Sequence, residues 1–280
     1  MDRRHLIAVL VLLAAAAALV TCTAASAGKP KHRQRHRKKS PPAAVAPDPY
    51  AAVLTKYLAG RQPIFCGGGE GPYVAFTFDD GPGPLTQQLL DFLQQQHVPA
   101  TFFDIGQQIA GRESIVTEES QIAVVGDHTW THPQLPSLES TPGAVLSELQ
   151  RTKDAIAAAT GRPPRIFRAP FGQRDPAIDA IAKSIGLLDV EWSVVVQDGA
   201  DADVIYSNLV SRVVAGSIVL MHENDHGEIE GFERALPVLL ARGYVPVTVL
   251  DLLLKDPPPD DMPSWAGQCV AHWTPPATTP

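Results

Sequence analysis

The sequence predicts an α/β fold in which about seven parallel strands form an irregular barrel within one domain. Short apolar runs alternate with amphipathic helical segments from residue 73 to residue 254, and this alternation is typical of parallel β/α units. The stretch of roughly 200 residues between positions 64 and 270 also suits a single domain with a sizeable core. In such folds, chemistry occurs where strands end and loops begin.

The predicted strands are short runs rich in β-branched and aromatic residues. They cover Tyr73–Thr77, Ala100–Phe103, Ile122–Val125, Arg165–Arg168, Leu187–Trp192, Ser193–Val196, Ser217–Met221 and Val245–Thr248. The segments between them have helical periodicity. They cover Thr86–His97, Ile105–Ser120 with a break near Gly111, Ser140–Thr160, Pro176–Ile185, Asp203–Val214, Phe232–Arg242 and Val249–Leu254.

The stretch from Tyr73 to Pro84, YVAFTFDDGPGP, organises the chain. Its strand ends in Asp79 and Asp80, and the Gly-Pro repeats that follow predict a tight turn. Adjacent carboxylates raise each other's pKa unless a cation compensates them. The stretch alone therefore fits two interpretations, a site that binds a metal or guanidinium group and a solvated Asp-Asp-Gly turn.

The first 63 residues have the composition of an export signal and a linker. Residues 1–27 combine Arg3 and Arg4, an apolar run and an Ala-Ser-Ala cleavage site, which is typical of a secretory signal peptide. An uncleaved N-terminal anchor is the alternative. Residues 28–63 begin with seven Lys or Arg residues and become rich in Pro and Ala, which predicts a basic arm and a stiff linker. The arm could contact an anionic wall polymer or a membrane surface, or it could be a solvated spacer.

The remainder of the chain is strongly acidic. Nine of the 23 Lys and Arg residues, but only one of the 30 Asp and Glu residues, lie within the first 39 positions. This balance argues against a polyanionic substrate for the globular part, and export argues against nucleic acid as a partner.

Two cysteines remain once the signal peptide is set aside. Cys66 and Cys269 lie near the two ends of the predicted domain, which covers residues 64–270 and precedes a flexible tail at 271–280. In an oxidising compartment they are expected to form a disulfide bond, and two buried free thiols are the alternative.

The HTWTH motif contains two imidazoles four residues apart, at His128 and His132. Two ordinary histidines are the usual explanation of such a pair. Together with a carboxylate from another strand end, however, they would form a site with three protein ligands and open positions. Zinc is the first expectation, and Co²⁺, Ni²⁺ or Mn²⁺ would also accept these ligands.

Four motifs resemble those of the polysaccharide deacetylases, carbohydrate esterase family 4. They are TFDDGP at 77–82, HTWTH at 128–132, RAPFG at 168–172 and IVLMH at 218–222. The resemblance extends over nearly all of the globular part. It implies a distorted (β/α) barrel that removes acetyl groups from sugar polymers with the help of one divalent metal ion.

The resemblance also implies a role for each motif residue. Asp79 corresponds to the general base, and Asp80, His128 and His132 correspond to the metal ligands. Arg168 corresponds to the residue that orients Asp79, and His222 to the general acid. The backbone N–H near Phe171 corresponds to an oxyanion donor, since hydrolysis of an acetamide requires a polarised carbonyl, an activated water and a proton for the amine.

The chain departs from the family pattern in the block after Trp192. Trp192, predicted to contact substrate, is kept, but Val195 and Gly199 replace an acid and a second Trp. Asp198 is retained and is expected to pair with His222. The lost Trp removes a wall of the substrate groove. Asp127, where Asn is common, is a candidate support for the ligands.

The sequence therefore predicts a secreted or envelope-associated, monomeric metal-dependent deacetylase. Its expected substrates are N-acetylated sugars of peptidoglycan or chitin-like polymers. Two alternatives remain open, an O-acetyl esterase acting on a polymer such as xylan and a non-catalytic wall-binding module on the same fold.

Overall fold

The computed structural model describes residues 48–60, 63–260 and 269–276. The predicted signal peptide and the basic part of the arm lie outside these residues. No helix within the described ranges is long and apolar enough to cross a membrane.

Seven parallel strands form a curled half-barrel, which confirms the predicted fold class. The strands are β1 (Tyr73–Gly81), β2 (Ala100–Asp104), β3 (Ala123–Asp127), β4 (Ile166–Phe167), β5 (Leu188–Asp189), β6 (Val194–Val195) and β7 (Ile218–His222). Their order across the sheet is β5-β4-β3-β2-β1-β7-β6, and β8 (Val245–Val247) pairs with the start of β1. The strand that carries the two aspartates, β1, is therefore an interior strand that pairs with β2, β7 and β8.

Helices connect the strands. They are α1 (Ala51–Ala59), α2 (Thr86–Gln96), α3 (Gly106–Ile109), α4 (Glu113–Ile122), α5 (Ala144–Thr160), α6 (Pro176–Ser184), α7 (Ala202–Arg212), α8 (His226–Ala241) and α9 (Val249–Lys255). The expected break at Gly111 separates α3 from α4. Helix α5 begins four residues later than predicted, because Gly143 has a left-handed conformation (φ 77°) that no helix continues through.

Helix α1 corrects the predicted linker. It lies inside residues 28–63, yet its Leu54 and Tyr57 are buried in a cluster that also contains Ile64 and Leu250. The basic and Pro/Ala-rich stretches dominate the composition of residues 28–63. That composition therefore does not reveal the short amphipathic segment at the end of the range. This segment packs against the barrel as part of the folded domain.

Strand β1 separates two clusters of core side chains, one on each face of the sheet. Val74, Phe76 and Phe78 pack against apolar side chains of α2 and α8 in one cluster. Ala75 belongs to a different cluster, formed by residues inside the barrel. Successive side chains of a strand point to opposite faces, so Thr77 and Asp79 continue the inner set.

A disulfide bond joins Cys66 to Cys269, as predicted, and the alternative of two free thiols is wrong. Cys66 also forms a β-bridge to Ser217 at the start of β7. Beyond Cys269, the backbone N–H groups of His272 and Trp273 both donate to Gly69 O at 2.8 Å. The end of the described chain is therefore fastened to the loop that leads into β1.

Candidate active site

The candidate site lies where the inner faces of four strands reach their carboxyl ends. In β7, Ile218 points inwards and Met221 outwards, so His222 continues the inner set. Asp79 is paired with His222 in the register of β1 and β7. Arg168 and His128 directly follow the last residues of β4 and β3. The alternation of each strand thus brings these four side chains into one space.

Arg168 is completely buried and holds Asp79 in place. Its Nη1 donates to Asp79 Oδ1 and to Thr77 Oγ1, both at 2.7 Å. Its Nε and Nη2 donate to the carbonyl oxygens of Val190 (3.0 Å) and Glu191 (3.1 Å). These bonds fix the guanidinium, so Asp79 Oδ2 is left facing the His128 side of the site, 3.8 Å from His128 Nε2. Sequence reasoning did not identify Thr77 or the two carbonyl groups.

Asp80, His128 and His132 form a cluster that could hold a metal ion. Asp80 Oδ1 lies 3.5 Å from His128 Nε2 and 3.2 Å from His132 Nε2. The Nδ1 of His128 is 2.9 Å from the carbonyl oxygen of Arg168. A carbonyl only accepts, so Nδ1 donates the hydrogen and the neutral ring presents a lone pair at Nε2.

These residues fit a divalent metal ion. Three ligand atoms converge, and Asp80 Oδ1 is shielded from water without a hydrogen-bond partner among the described residues. Burial raises the pKa of Asp80, but His128 and His132 outweigh it, so the pKa is lower than usual. A carboxylate that stays ionised beside two imidazoles is a donor set for zinc and similar ions.

The loop of His128–His132 is held by the side chain of Asp127, which is not one of the three candidate metal ligands. Asp127 is buried, and its Oδ1 accepts a hydrogen bond from Thr129 N at 2.8 Å. Thr129 Oγ1 in turn accepts from His132 N at 3.1 Å. Asp127 therefore supports the loop backbone, while the imidazole of His128 is oriented by the Arg168 carbonyl. Thr129 and His132 both have left-handed backbones, with φ of 67° and 58°.

His222 has a carboxylate partner that sequence reasoning missed. Glu228 Oε1 lies 3.1 Å from His222 Nδ1, and Glu228 Oε2 accepts from His222 N at 2.6 Å. Asp198, the expected partner, has its Oδ1 3.6 Å from His222 Nδ1 and a side chain that is 67% exposed. Burial lowers the pKa of His222, but Glu228, Asp79 and Asp80 reverse this and raise it to about 9.

Of the two residues expected to contact substrate, Phe171 lies beside His132 and Trp192 lies beside Arg168. Phe171 is 60% exposed, has φ of 60°, and its ring lies edge-on to His132 with 4.7 Å between centroids. Trp192 is half-buried, and its ring centroid lies 5.7 Å from the Arg168 guanidinium. Each of the two thus lies next to one side chain of the candidate site, and their roles stay predictions.

Three further carboxylates lie near the loop that follows the two aspartates of β1. Asp104, Glu119 and Glu223 are all fully buried, with oxygen atoms within 4.8 Å of one another. Burial raises the pKa of Asp104 to about 7 and those of Glu119 and Glu223 well above their usual range. The cluster therefore retains protons near neutral pH.

Glu223 fixes the shape of the loop after β1. Its Oε2 accepts a hydrogen bond from Thr86 Oγ1, which accepts one from Gly83 N at 2.7 Å. Gly81 lies directly against Glu223, and a Cβ at position 81 would overlap the Glu223 carboxylate. The glycine of the DDGP motif is thus required by a close approach to a buried side chain.

Comparisons with known proteins agree with this geometry. Residues 67–190 match the polysaccharide deacetylase family. The chain is 31% identical over 192 residues to a peptidoglycan-N-acetylglucosamine deacetylase of Bacillus cereus, covering 64% of this chain and 69% of that protein. It is 35% identical over 157 residues to a bifunctional xylanase/xylan deacetylase of Cellvibrio japonicus, covering 55% of this chain but only 23% of that protein. It likewise spans 38% of the deacetylase PgdA of Listeria monocytogenes.

Solved structures give the same result. The peptidoglycan N-acetylglucosamine deacetylase Bc1960 superposes with a TM-score of 0.65 at 28% identity, covering 72% of this chain and 95% of that one. A pseudoenzyme of carbohydrate esterase family 4 from Bacillus anthracis, BA3943, superposes with a TM-score of 0.64 at 26% identity, covering 69% of each chain. On the strength of its four motifs, its half-barrel and these similarities, the chain belongs to the polysaccharide deacetylase family.

Proposed function

We propose that the chain is a metal-dependent hydrolase that removes the acetyl group from N-acetylated sugars of a polysaccharide, peptidoglycan or a chitin-like polymer, and releases acetate. The observation that carries the proposal is the position of Asp79. Arg168 holds one of its oxygens, and the other faces the cluster of Asp80, His128 and His132. The substrate class is supported by the similarity to a peptidoglycan-N-acetylglucosamine deacetylase.

The proposed metal ligands are Asp80, His128 and His132. When bound there, a divalent ion would act as a Lewis acid for the acetyl carbonyl and the attacking water. Zinc is the expected ion, and Co²⁺, Ni²⁺ and Mn²⁺ are the alternatives.

Asp79 is the proposed general base. Its carboxylate would take a proton from the water that attacks the acetyl carbon, while Arg168 keeps the carboxylate oriented. The backbone N–H near Phe171 would donate a hydrogen bond to the acetyl oxygen as negative charge develops on it. Trp192 would contact the acetyl group.

His222 is the proposed general acid. It lies opposite Asp79 in the paired strands, and its raised pKa keeps the ring protonated at neutral pH. It would donate a proton from Nε2 to the sugar nitrogen as the carbon–nitrogen bond breaks. The products are then acetate and a free amine. The proton taken by Asp79 returns to solvent, and His222 regains a proton from solvent before the next turnover.

Acetate release from a substrate panel tests the proposal. The panel should contain peptidoglycan, chitin oligosaccharides and acetylated xylan, each treated with and without chelator and with metal added back. The expected result is acetate from an amide-linked polymer that stops with chelator and returns with metal. Asp79→Asn serves as the inactive variant, and Asp91→Asn, an exposed acid on α2, serves as its matched control. Acetate release that continues in the presence of chelator, or in the Asp79→Asn variant, would refute the mechanism.

Two other functions are separated by the same panel. Acetate from ester-linked xylan alone would indicate an O-acetyl esterase, a possibility that the similarity to a xylan deacetylase favours. The similarity to the pseudoenzyme favours a non-catalytic wall-binding module. Polymer binding without acetate release from any substrate, with the ion bound, would support that module.

We also propose that the enzyme is exported and works as a monomer. Residues 1–27 act as a cleaved signal peptide, and the basic arm holds the enzyme to an anionic wall polymer or membrane surface. Mass measurement of the exported protein should find a chain beginning at Gly28, and a retained N-terminus would indicate an anchor. Gel filtration tests the oligomeric state. Replacing the seven basic residues of the arm should reduce sedimentation with isolated walls.

A further inference from the structure

We propose that Glu228, and not Asp198, is the positioning residue that orients His222. The proposal rests on the proposed function only in naming His222 as the general acid. The contacts between Glu228 and His222 are features of the fold whatever the substrate.

The carboxylate of Glu228 contacts His222 at two points. One carboxylate oxygen lies 3.1 Å from Nδ1 of the ring, and the other accepts the backbone N–H of the same residue at 2.6 Å. Two contacts to one residue fix both the position of its backbone and the rotation of its ring. Asp198 makes no equivalent pair of contacts, and its distance of 3.6 Å to Nδ1 is too long for a hydrogen bond.

The environment of the two acids differs as much as their distance. Glu228 is fully buried, whereas the side chain of Asp198 is 67% exposed. A charge in contact with water is screened far more strongly than one inside the protein. His222 also lies just before the N-terminus of α8, where the helix dipole disfavours a positive charge. The buried carboxylate of Glu228 is placed to offset that effect.

Glu228 is itself held rigidly by the helix. Asp225 caps α8, and its Oδ1 accepts from Gly227 N at 2.7 Å and from Glu228 N at 3.1 Å. The loop of Asp198 depends on the same cap, because Gly199 N donates to Asp225 Oδ2 at 3.2 Å. A residue on a capped helix is positioned more accurately than one on an exposed loop.

The contact determines which ring nitrogen faces the site. The ionised Glu228 carboxylate only accepts, so Nδ1 of His222 must carry a hydrogen. The proton available for transfer is then the one on Nε2. Five ionisable side chains interact electrostatically with the His222 ring. They are Asp79 and Asp80 of β1, His132 of the loop after β3, Asp198 before α7, and Glu228 of α8. Of these, Glu228 is the one in contact with Nδ1 and the backbone together.

Matched variants test the proposal by kinetics. Glu228→Gln keeps the shape of the side chain but presents an amide N–H₂ to one of the two donors of His222. We expect kcat to fall at least tenfold with KM within twofold, and the alkaline limb of the pH profile to move down by at least one pH unit. Glu228→Asp should recover part of the loss, whereas Asp198→Asn should stay within twofold of the unmodified enzyme. A large loss in Asp198→Asn with little loss in Glu228→Gln would overturn the proposal.

Titration of the His222 ring by ¹⁵N NMR gives a second readout that needs no substrate. The ring should titrate at a lower pH in Glu228→Gln and at an unchanged pH in Asp198→Asn. If Glu228→Gln does not fold, Asp198→Asn alone decides, because a clear shift of the His222 titration in that variant contradicts the proposal. Failure of every substrate with these titrations as expected would refute the proposed activity and leave the role of Glu228 standing.

Discussion

Asp79 and His222 are directly paired residues of neighbouring parallel strands, β1 and β7. Their separation is therefore set by the main-chain hydrogen bonds of the sheet. Both side chains lie on the inner face because each follows an alternating run of apolar residues. Groups on strands keep their geometry better than groups on loops, so the two proposed proton-transfer residues are held side by side at the carboxyl ends of β1 and β7.

The Asp79–Asp80 pair should separate into two roles. Asp79→Asn removes the proposed base but no ligand, so we expect turnover to fall by roughly 10²–10⁴-fold with metal still bound. Asp80→Asn should weaken metal binding, and excess metal should restore part of the activity. Bound metal and acetate release, measured across a metal titration, test both variants.

The opposite outcome has a clear meaning. If Asp79→Asn loses the ion and Asp80→Asn keeps it, the two roles are reversed. His132→Ala is a further check, because it should lose the ion while its circular dichroism stays that of the unmodified chain. Full metal occupancy in His132→Ala would contradict the ligand assignment.

Arg168→Met should destabilise the fold as well as abolish activity. The change leaves Asp79 as a buried charge without its partner and leaves two carbonyl groups without donors. Breaking a buried pair in this way typically costs about 3–5 kcal/mol. Urea unfolding measures the loss, with Arg162→Met, an exposed position, expected to stay within about 0.5 kcal/mol. Equal stability of the two variants would show that Arg168 is not the central buried cation.

Loss of the disulfide bond should lower stability substantially. Cys66 and Cys269 are 203 residues apart, and a bridge that closes so long a loop stabilises by about 5 kcal/mol in the chain-entropy model. The double variant Cys66→Ser/Cys269→Ser should therefore unfold at lower urea concentration, and the mature protein, which lacks Cys22, should have no free thiol when denatured without reductant. Two titratable thiols would contradict the structure.

The buried acids near the active-site loop should make the protein less stable as pH rises. Asp104, Glu119 and Glu223 have raised pKa values in the folded state, that of Asp104 about 7. The folded chain therefore binds more protons than the unfolded chain, so the free energy of unfolding falls from about pH 4 through pH 7. His222, whose pKa is about 9, extends the fall from about pH 6.5 to 9.

Glu119→Gln isolates this effect. It removes one titrating group without changing its size, so the fall between pH 4.5 and 8 should become smaller. Glu230→Gln, at an exposed position on α8 away from the cluster, is the matched control and should follow the unmodified curve. Urea unfolding at several pH values measures both, and parallel curves for both variants would show that the cluster does not titrate.

The sequence predicts the strands and the residues at their ends because both have local causes. The run Tyr73–Phe78 is apolar enough to be a strand, and its alternation already places Ala75, Thr77 and Asp79 on one face. The HTWTH motif directly follows another predicted strand, β3, which lies two strands away from β1 in the sheet. These elements follow from nearest-neighbour patterns, and the fold confirms them.

The contacts that depend on packing between distant segments could not be predicted in this way. The sequence Asp225–Glu228 has the pattern of a capping box, in which the Glu would reach back to its own helix. In the structure Asp225 makes the cap and Glu228 turns to His222. The burial of Leu54 and Tyr57 likewise depends on a surface formed by α9 and the barrel, which no local pattern contains.

Left-handed backbone is concentrated at the mouth of the barrel. Of the five non-glycine residues with positive φ in the described part of the chain, four are Asp80, Thr129, His132 and Phe171. This conformation typically costs an L-residue about 1–2 kcal/mol. Glycine would remove that cost, but at positions 80 and 132 it would also remove a proposed metal ligand. The backbone conformation of these four residues thus lowers the free energy of unfolding of the domain. The stability contributed by the barrel core and the disulfide bond must therefore exceed this local cost for the domain to remain folded.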